Sequence, residues 1–361
     1  MKRSQRLGWI GVDVGTHTVK LAQVARNGAD VRLHRAAVIQ RPTSWSSDDA
    51  LAMEQPITSS QEIRAALECG GFSGRDAICS LPMNACQLRG LHVPPGTDRE
   101  RRTIIADEMA EDWAELRHPM DFDFWEMETA GADKGLDAFN VSVLAASRPW
   151  ISQLWRDCRQ SGIDCWSIDG TPLSMARAIQ LTHGLVDGRR ALAVDWGYSN
   201  TTLCIVGDDR PLYSRRIYNC GFGRVLDAVM QMFDVTLDEA QHLIDTQGVT
   251  TPAGQEAADP HTQSAITEAA EQAVNELILQ IGRTLQFMDT QRRHLHPESI
   301  WLMGGGASMR NVGAYLEQSL GLTVHLWSLP PAVESISCAA GHRAAVFSGA
   351  AALSASVWRA A

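Results

Sequence analysis

The chain has 361 residues, 45% of them apolar and 20% charged, an ordinary globular composition long enough to bury two or more cores. Its net charge of −10 and lack of a clustered basic stretch exclude a nucleic-acid binder. No window supplies the ~20 uncharged apolar residues of a membrane span. Met1–Arg6 leads into no continuous apolar signal segment, so no direct membrane insertion is expected. Eight cysteines without a C-x-x-C spacing read as reduced residues of a cytoplasmic protein, not a disulfide framework.

In chain order, Leu7–Val14 and Lys20–Arg26 alternate as a hairpin, and Val31–Ile39 follows the turn dipeptide Asn27-Gly28. Residues 41–60 are polar and loop-like. Gln61–Cys69 reads as a helix stopped by Gly70-Gly71. A small β-α-β-β unit comes next. It comprises strands at 76–81 and 87–93, a helix from Asp98 with Ile105, Met109 and Trp113 at helical spacing, and strands near 121–128 and 138–145. Pro149–Gln160 is an expected helix with Ile151, Leu154, Trp155 and Cys158 on one face. Ile163–Ile168 is a strand, and Thr171-Pro172 opens a helix. Three strands then span Ala191–Val194, Thr202–Val206 and Leu212–Ile217. Helices follow after Gly223, around Ala240–Ile244, and along Ile266–Met288. The chain closes with a strand at Ser299–Met303, Gly304-Gly305-Gly306, a helix to Leu320, a strand at 322–327, and an alanine-rich helix from about Arg343 to Val357.

Within the first hairpin, Asp13-Val14-Gly15-Thr16-His17-Thr18 has the parts of a phosphate cradle. Gly15 permits close backbone approach, successive N–H groups make an anion-binding concavity, and Thr16 and Thr18 add hydroxyls. Lys20 adds a point charge, and Asp13 suits a hydrated Mg²⁺. Half a chain later the element returns. WIGVDVGTHTVKLAQV is echoed by ALAVDWGYSNTTLCIV, with Asp195, Gly197, Asn200 and Thr201 in the second turn. Such an internal duplication predicts two similar halves whose turns face one another, bringing Asp13 and Asp195 around one metal–phosphate group. Gly304, Gly305, Gly306 and Ser308 lie between a strand and a helix, where N–H groups point at a nucleotide. His17 has no catalytic partner at a matching spacing and reads as a turn residue, and Gly221 and Gly223 read as packing points.

These three motifs, in this order, resemble the phosphate-1, phosphate-2 and adenosine motifs of the actin-like ATPase superfamily, which includes actin, sugar kinases and FtsA. The finer resemblance is to the FtsA-like PilM family of type IV pilus assembly proteins. It is carried by Leu91-His92-Val93-Pro94 with Asp107–Trp113, by Cys158–Ile163 with Ser167-Ile168-Asp169, and by Ser299–Asn311. The resemblance implies an α/β actin-like fold, ribonuclease H-like and duplicated, with the inserted β-α-β-β domain in the FtsA/PilM arrangement. Subdomain 1A would occupy 1–76 and 148–189, the inserted 1C-like domain 77–147, subdomain 2A 190–220 and 298–342, and subdomain 2B 221–297. The terminal helix, 343–361, would return to 1A.

The resemblance further implies ATP and Mg²⁺ in the central cleft, with at most weak hydrolysis. Asp13, Gly15, Thr16, Thr18, Lys20, Asp195, Gly197, Asn200 and Thr201 would hold the phosphates. Gly304, Gly305, Gly306 and Ser308 would hold the adenosine. Asp13 and Asp195 would hold Mg²⁺ through water, and Asp195 would orient the attacking water. A PilN-like membrane protein would dock its cytoplasmic N-terminal peptide in a groove by the inserted domain. That would place the chain at the inner membrane of a pilus or type II secretion platform, beside other platform proteins or further copies of itself.

One departure stands out. The family's A-E-x-x-K helix here reads Ala240-Gln241-His242-Leu243-Ile244, lacking the acid and the lysine that contact ribose and base. Two other functions fit this sequence less well. A division filament protein like FtsA needs a basic, bulky amphipathic end, which LSASVWRAA is not. A small-molecule kinase needs a base for its substrate, and the first half offers no convincing acid.

Overall fold

The computed structural model describes residues 6–41, 59–81, 83–114, 119–126, 140–182, 188–207, 210–251, 259–330 and 344–358. Its first stretch holds β1 (Arg6–Leu7), β2 (Ile10–Val14), β3 (Thr18–Asn27), β4 (Asp30–Gln40), α1 (Ser60–Gly70) and β5 (Asp76–Ser80). Then come β6 (Cys86–Leu91), α2 (Asp98–Ala114), β7 (Met120–Glu126), β8 (Val141–Ser147), α3 (Arg148–Gln160), β9 (Asp164–Asp169) and α4 (Thr171–Leu181). The second stretch holds β10 (Arg190–Trp196), β11 (Thr201–Gly207), β12 (Arg210–Ile217), α5 (Gly223–Phe233), α6 (Leu237–Thr246) and α7 (Pro260–Gln291). It ends with β13 (Ser299–Met303), α8 (Val312–Leu320), β14 (Thr323–Leu326) and α9 (Ser348–Ala355).

The duplication in the sequence is a duplication in topology. The first sheet runs β4-β3-β2-β5-β9, with β1 also on β3, and the second runs β12-β11-β10-β13-β14. In each, the opening hairpin and the third strand are antiparallel, and the two later strands are parallel. Asp13 pairs in register with Lys20 on one side and Ser80 on the other, while Asp195 pairs with Thr202 and Met303. A parallel neighbour needs a long crossover, which the helices between β2 and β5, β5 and β9, and β10 and β13 supply.

Local signals set the helix ends. Ser59 caps α1 by accepting from the Glu62 N–H, and Gly71 ends it at φ +66°. Thr236 and Glu239 close a capping box on α6. Asp259 caps α7, whose Pro260 costs no hydrogen bond in the first turn.

Each half has its own core. Ile10, Val12, Leu21, Ile63 and Leu154 fill the first, and Trp196, Phe222, Leu277, Ile281 and Ile300 fill the second. Between them runs a seam of small side chains, including Ala22, Ala178, Ala193 and Ala350–Ala352. Small residues let α9 lie almost backbone to backbone on the first sheet. A Cβ on Gly11 would stand 1.8 Å from the Ala350 carbonyl oxygen. The third sheet, β6-β8-β7, closes over α2 through Val93, Ile105, Met109, Val141 and Val143.

Three expectations need correction. The insertion does not begin at Ala77, because β5 pairs with β2 and β9 and belongs to the first sheet, so the inserted sheet starts at Cys86. Trp155 leaves the buried face of α3 and is 44% exposed, its place taken by Trp150. The closing helix is shorter than its alanine run, since Ala344–Phe347 is a 3-10 turn. Among the described residues, no helix is long and apolar enough to cross a membrane.

Candidate functional site

The two Asp-x-Gly turns face each other across the cleft between the sheets. They are built alike. The Gly15 N–H donates to the Thr18 carbonyl at 2.9 Å, and the Gly197 N–H donates to the Asn200 carbonyl at 3.1 Å. Each turn is braced from behind. Arg41, a buried cation, donates to the carbonyls of Gly15 and Thr16, at 3.1 and 3.3 Å. The carbonyls of Gly197 and Tyr198 accept from the N–H groups of Phe222 and Gly223, both at 2.8 Å. Gly221 is a packing point as expected, since a Cβ there would stand 2.0 Å from the Tyr198 carbonyl oxygen.

The carboxylates converge. The Asp13 Oδ1 accepts from the Ser80 hydroxyl at 2.9 Å, and its Oδ2 lies 3.7 Å from the Lys20 ammonium. It also sits against the first turn of α9, where a Cβ on Gly349 would come within 3.1 Å of Oδ2. Asp195 has a harsher setting. Burial, and after it the charge of Asp13, push its carboxyl up to about 6, with Lys20 pulling the other way. Gly304, at φ +82°, passes so close that a Cβ would stand 2.2 Å from Asp195 Oδ1.

The turns also touch. The Ser199 hydroxyl donates to the Thr16 hydroxyl at 3.0 Å, and the rings of His17 and Tyr198 stack at 4.0 Å with 11° between planes. Burial, then the charges of Lys20 and Arg41, lower the His17 pKa, so the stacked imidazole is neutral at pH 7. Beside this stack lies a cavity of about 130 Å³, walled by Lys20, Phe222, Leu226, Gln241, Gly305 and Ser308, among others. Neither buried ring nitrogen of His17 has a hydrogen-bond partner among the described residues.

Of the residues expected here, Asp13, Gly15, Thr16, Lys20, Asp195, Gly197 and Gly304 meet at the facing turns. Thr18 and Gly305 line the cavity. Asn200 closes the second turn through its carbonyl. Thr201 is turned away: it is fully buried and donates its hydroxyl to the Cys220 carbonyl. Gly306 packs under the Trp196 indole.

At the opposite end, Gln241 reaches over the third motif and donates to the Ser308 hydroxyl at 3.0 Å and to Asp245 at 2.8 Å. Ile244 points into the core of the second half, with no exposure to the cleft. Ser80, Arg41 and Gly349 were not singled out from sequence. The usable signal was the parallel pairing of β2 and β5, which puts Ser80 beside Asp13.

A second concavity, of about 760 Å³, opens between the edge strand β9 and the edge strand β7 of the inserted sheet. Cys165–Asp169, Asp121–Asp123, Leu144, Ile151 and Trp155 line it. An edge strand presents unpaired backbone groups, and exposed aromatics beside it offer apolar anchors.

The sequence finds no match among curated proteins. The structure is similar to that of a PilM–PilN type IV pilus biogenesis complex, with a TM-score of 0.70, 21% identity, and 98% of each chain covered. It is also similar to the ethanolamine utilization protein EutJ from Carboxydothermus hydrogenoformans, with a TM-score of 0.53, 12% identity, and 97% and 89% of the chains covered. These likenesses establish the actin-like fold. Over residues 11–338 the chain matches the family described as type IV pilus assembly protein PilM, and it belongs to that family.

Proposed function

We propose that this pilus assembly protein is an adaptor that docks the cytoplasmic N-terminal peptide of a PilN-like membrane partner in the β7–β9 groove. The observation that carries this reading is the groove itself: two strand edges, unpaired among the described residues, facing each other across a cavity of about 760 Å³, with Trp155 and Phe122 on its walls. An extended peptide satisfies such an edge by strand addition and seats alternate side chains on the aromatics. Docking would hold the protein at the cytoplasmic face of the inner membrane.

The cleft is read as a Mg²⁺–ATP site. The residues fit the group. Two backbone turns face one another as anion cradles, and Asp13 and Asp195 are the hard oxygen donors that Mg²⁺ takes. The closeness of Gly304 to Asp195 and the unpartnered nitrogens of His17 suit a polar occupant. Mg²⁺, when bound, would offset the mutual repulsion of the two carboxylates. Thr16, Lys20 and Gly197 would meet phosphate, and Gly305 and Ser308 the adenosine. With the acid and lysine of the A-E-x-x-K helix absent at Gln241 and Ile244, nucleotide holding is favoured over turnover.

Calorimetry with the first twenty or so residues of the partner should show binding to the native chain. Trp155→Ala, an exposed position, should weaken it at least ~10-fold, or about 1.4 kcal/mol. An unchanged affinity in that variant removes the groove. Separately, Mg-ATP should raise the melting temperature of the native chain and not that of Asp13→Ala, because only a folded-state ligand stabilises. Equal shifts remove Asp13 from the site.

A further inference from the structure

Under the groove, three cysteines from three separate elements converge. Cys79 of β5, Cys158 of α3 and Cys165 of β9 bring their Sγ atoms within 4.8 Å of one another, and the Cys79–Cys158 pair is 3.5 Å apart. All three are free thiols. Cys79 and Cys158 are fully buried, whereas Cys165 is partly exposed and lines the groove.

A single buried cysteine behaves as a small hydrophobe and asks for hydrocarbon around its sulfur. Here each sulfur instead faces two others, and weak S–H donors gain little from that company. The arrangement comes from topology. β5 and β9 are adjacent and parallel, and α3 covers them, so the site is assembled from residues scattered along the chain.

We propose that Cys79, Cys158 and Cys165 form a three-thiolate site for a soft, thiophilic metal ion of the Cu(I) class, reached from the groove through Cys165. The size fits. Three sulfurs around one ion at a metal–sulfur distance of ~2.3 Å stand about 4 Å apart, inside the span seen here. The donor set fits too. Soft thiolates select Cu(I), whereas Zn²⁺ takes four ligands, and no histidine or carboxylate among the described residues completes a fourth. On binding, each thiol that ligates the ion gives its proton to solvent.

The test is an anaerobic Cu(I) titration of the reduced, metal-free protein against a chromophoric Cu(I) chelator, with the near-ultraviolet thiolate-to-copper absorption followed in parallel. The native chain should withhold one equivalent. Cys158→Ser and Cys165→Ser should each weaken retention at least ~100-fold, and Cys69→Ser, at an exposed position outside the cluster, should not. Circular dichroism shows which variants are folded. Cys165→Ala, at the partly exposed position, serves if the Cys158 variant collapses. Three results overturn the proposal: no Cu(I) withheld by the native chain, retention unchanged in the folded Cys165 variants, or Zn²⁺ held in preference to Cu(I). A protein that takes no Cu(I) but loses two of these thiols to a disulfide under hydroperoxide would replace the metal site with a redox pair.

Discussion

The two hairpins carry the same turn with the same internal hydrogen bond, yet their aspartates live in different surroundings. Asp13 receives the Ser80 hydroxyl, lies near Lys20 and abuts the first turn of α9. Asp195 is half-buried and lies against Gly304, with the charge of Asp13 for company, and its carboxyl is pushed up to about 6. Duplication therefore copied the backbone and left each half to supply its own electrostatics. One jaw holds a compensated charge, and the other holds a group poised to take a proton near neutrality. That division suits a cleft in which a cation or a phosphate decides the protonation of the second jaw.

The comparison breaks most visibly at Gly304. Alanine there must adopt φ +82° and place a methyl group 2.2 Å from Asp195 Oδ1. The two penalties together should cost about 3 kcal/mol in urea denaturation. A loss under ~1 kcal/mol would show that the second jaw is looser than its geometry.

The sharper comparison is one substitution at both sites. The carboxyl of Asp195 has a folded pKa near 6 against an ordinary 3.8, so between those values the folded protein keeps a proton the unfolded chain has released. Stability contributed by this group therefore falls as pH rises from about 4 to 6 and stays low above. Asp195→Asn should flatten that fall and stabilise the ligand-free protein at pH 8 by up to about 3 kcal/mol. Asp13→Asn should have the opposite sign, losing about 1–2 kcal/mol as Ser80 and Lys20 lose a charged partner. Melts of both variants at pH 5 and pH 8 decide it, and equal signs would erase the distinction between the jaws.

The smallest effect concerns their contact. Ser199→Ala removes the hydrogen bond to Thr16 and should lower stability by about 1 kcal/mol. If the bridged turns must part for nucleotide, the same change should tighten Mg-ATP binding a few-fold in a thermal-shift titration. Weaker binding would instead make Ser199 a direct ligand.

Much of this architecture was legible beforehand. Alternating apolar strands on either side of Asp-x-Gly are a local pattern, and their repetition announced two like sheets before any contact was known. The ends of α1 and α8 followed from Gly70-Gly71 and Gly321, because a cap acts within one turn of its own residue, whereas the caps Ser59 and Thr236 emerged only in the structure. Errors arose where pairing, and not periodicity, decides. β5 looked like part of the insertion because it precedes it in the chain, and only its bonds to β2 and β9 assign it elsewhere. Trp155 fits the apolar face of α3 by spacing, yet Trp150 occupies that face and Trp155 stays out over Arg159.

The sequence by itself determined the duplication, the turn chemistry and the uncharged pair Gln241 and Ile244, since each depends only on residues near one another in the chain. The tertiary structure alone decided that Ser80 and Gly349 flank Asp13, that Arg41 braces the first turn, that Ile244 faces the core, that β7 and β9 frame a groove, and that three thiols meet beneath it. These are relations between elements brought together by strand register and crossover, and no spacing along the chain encodes the distance between their side chains.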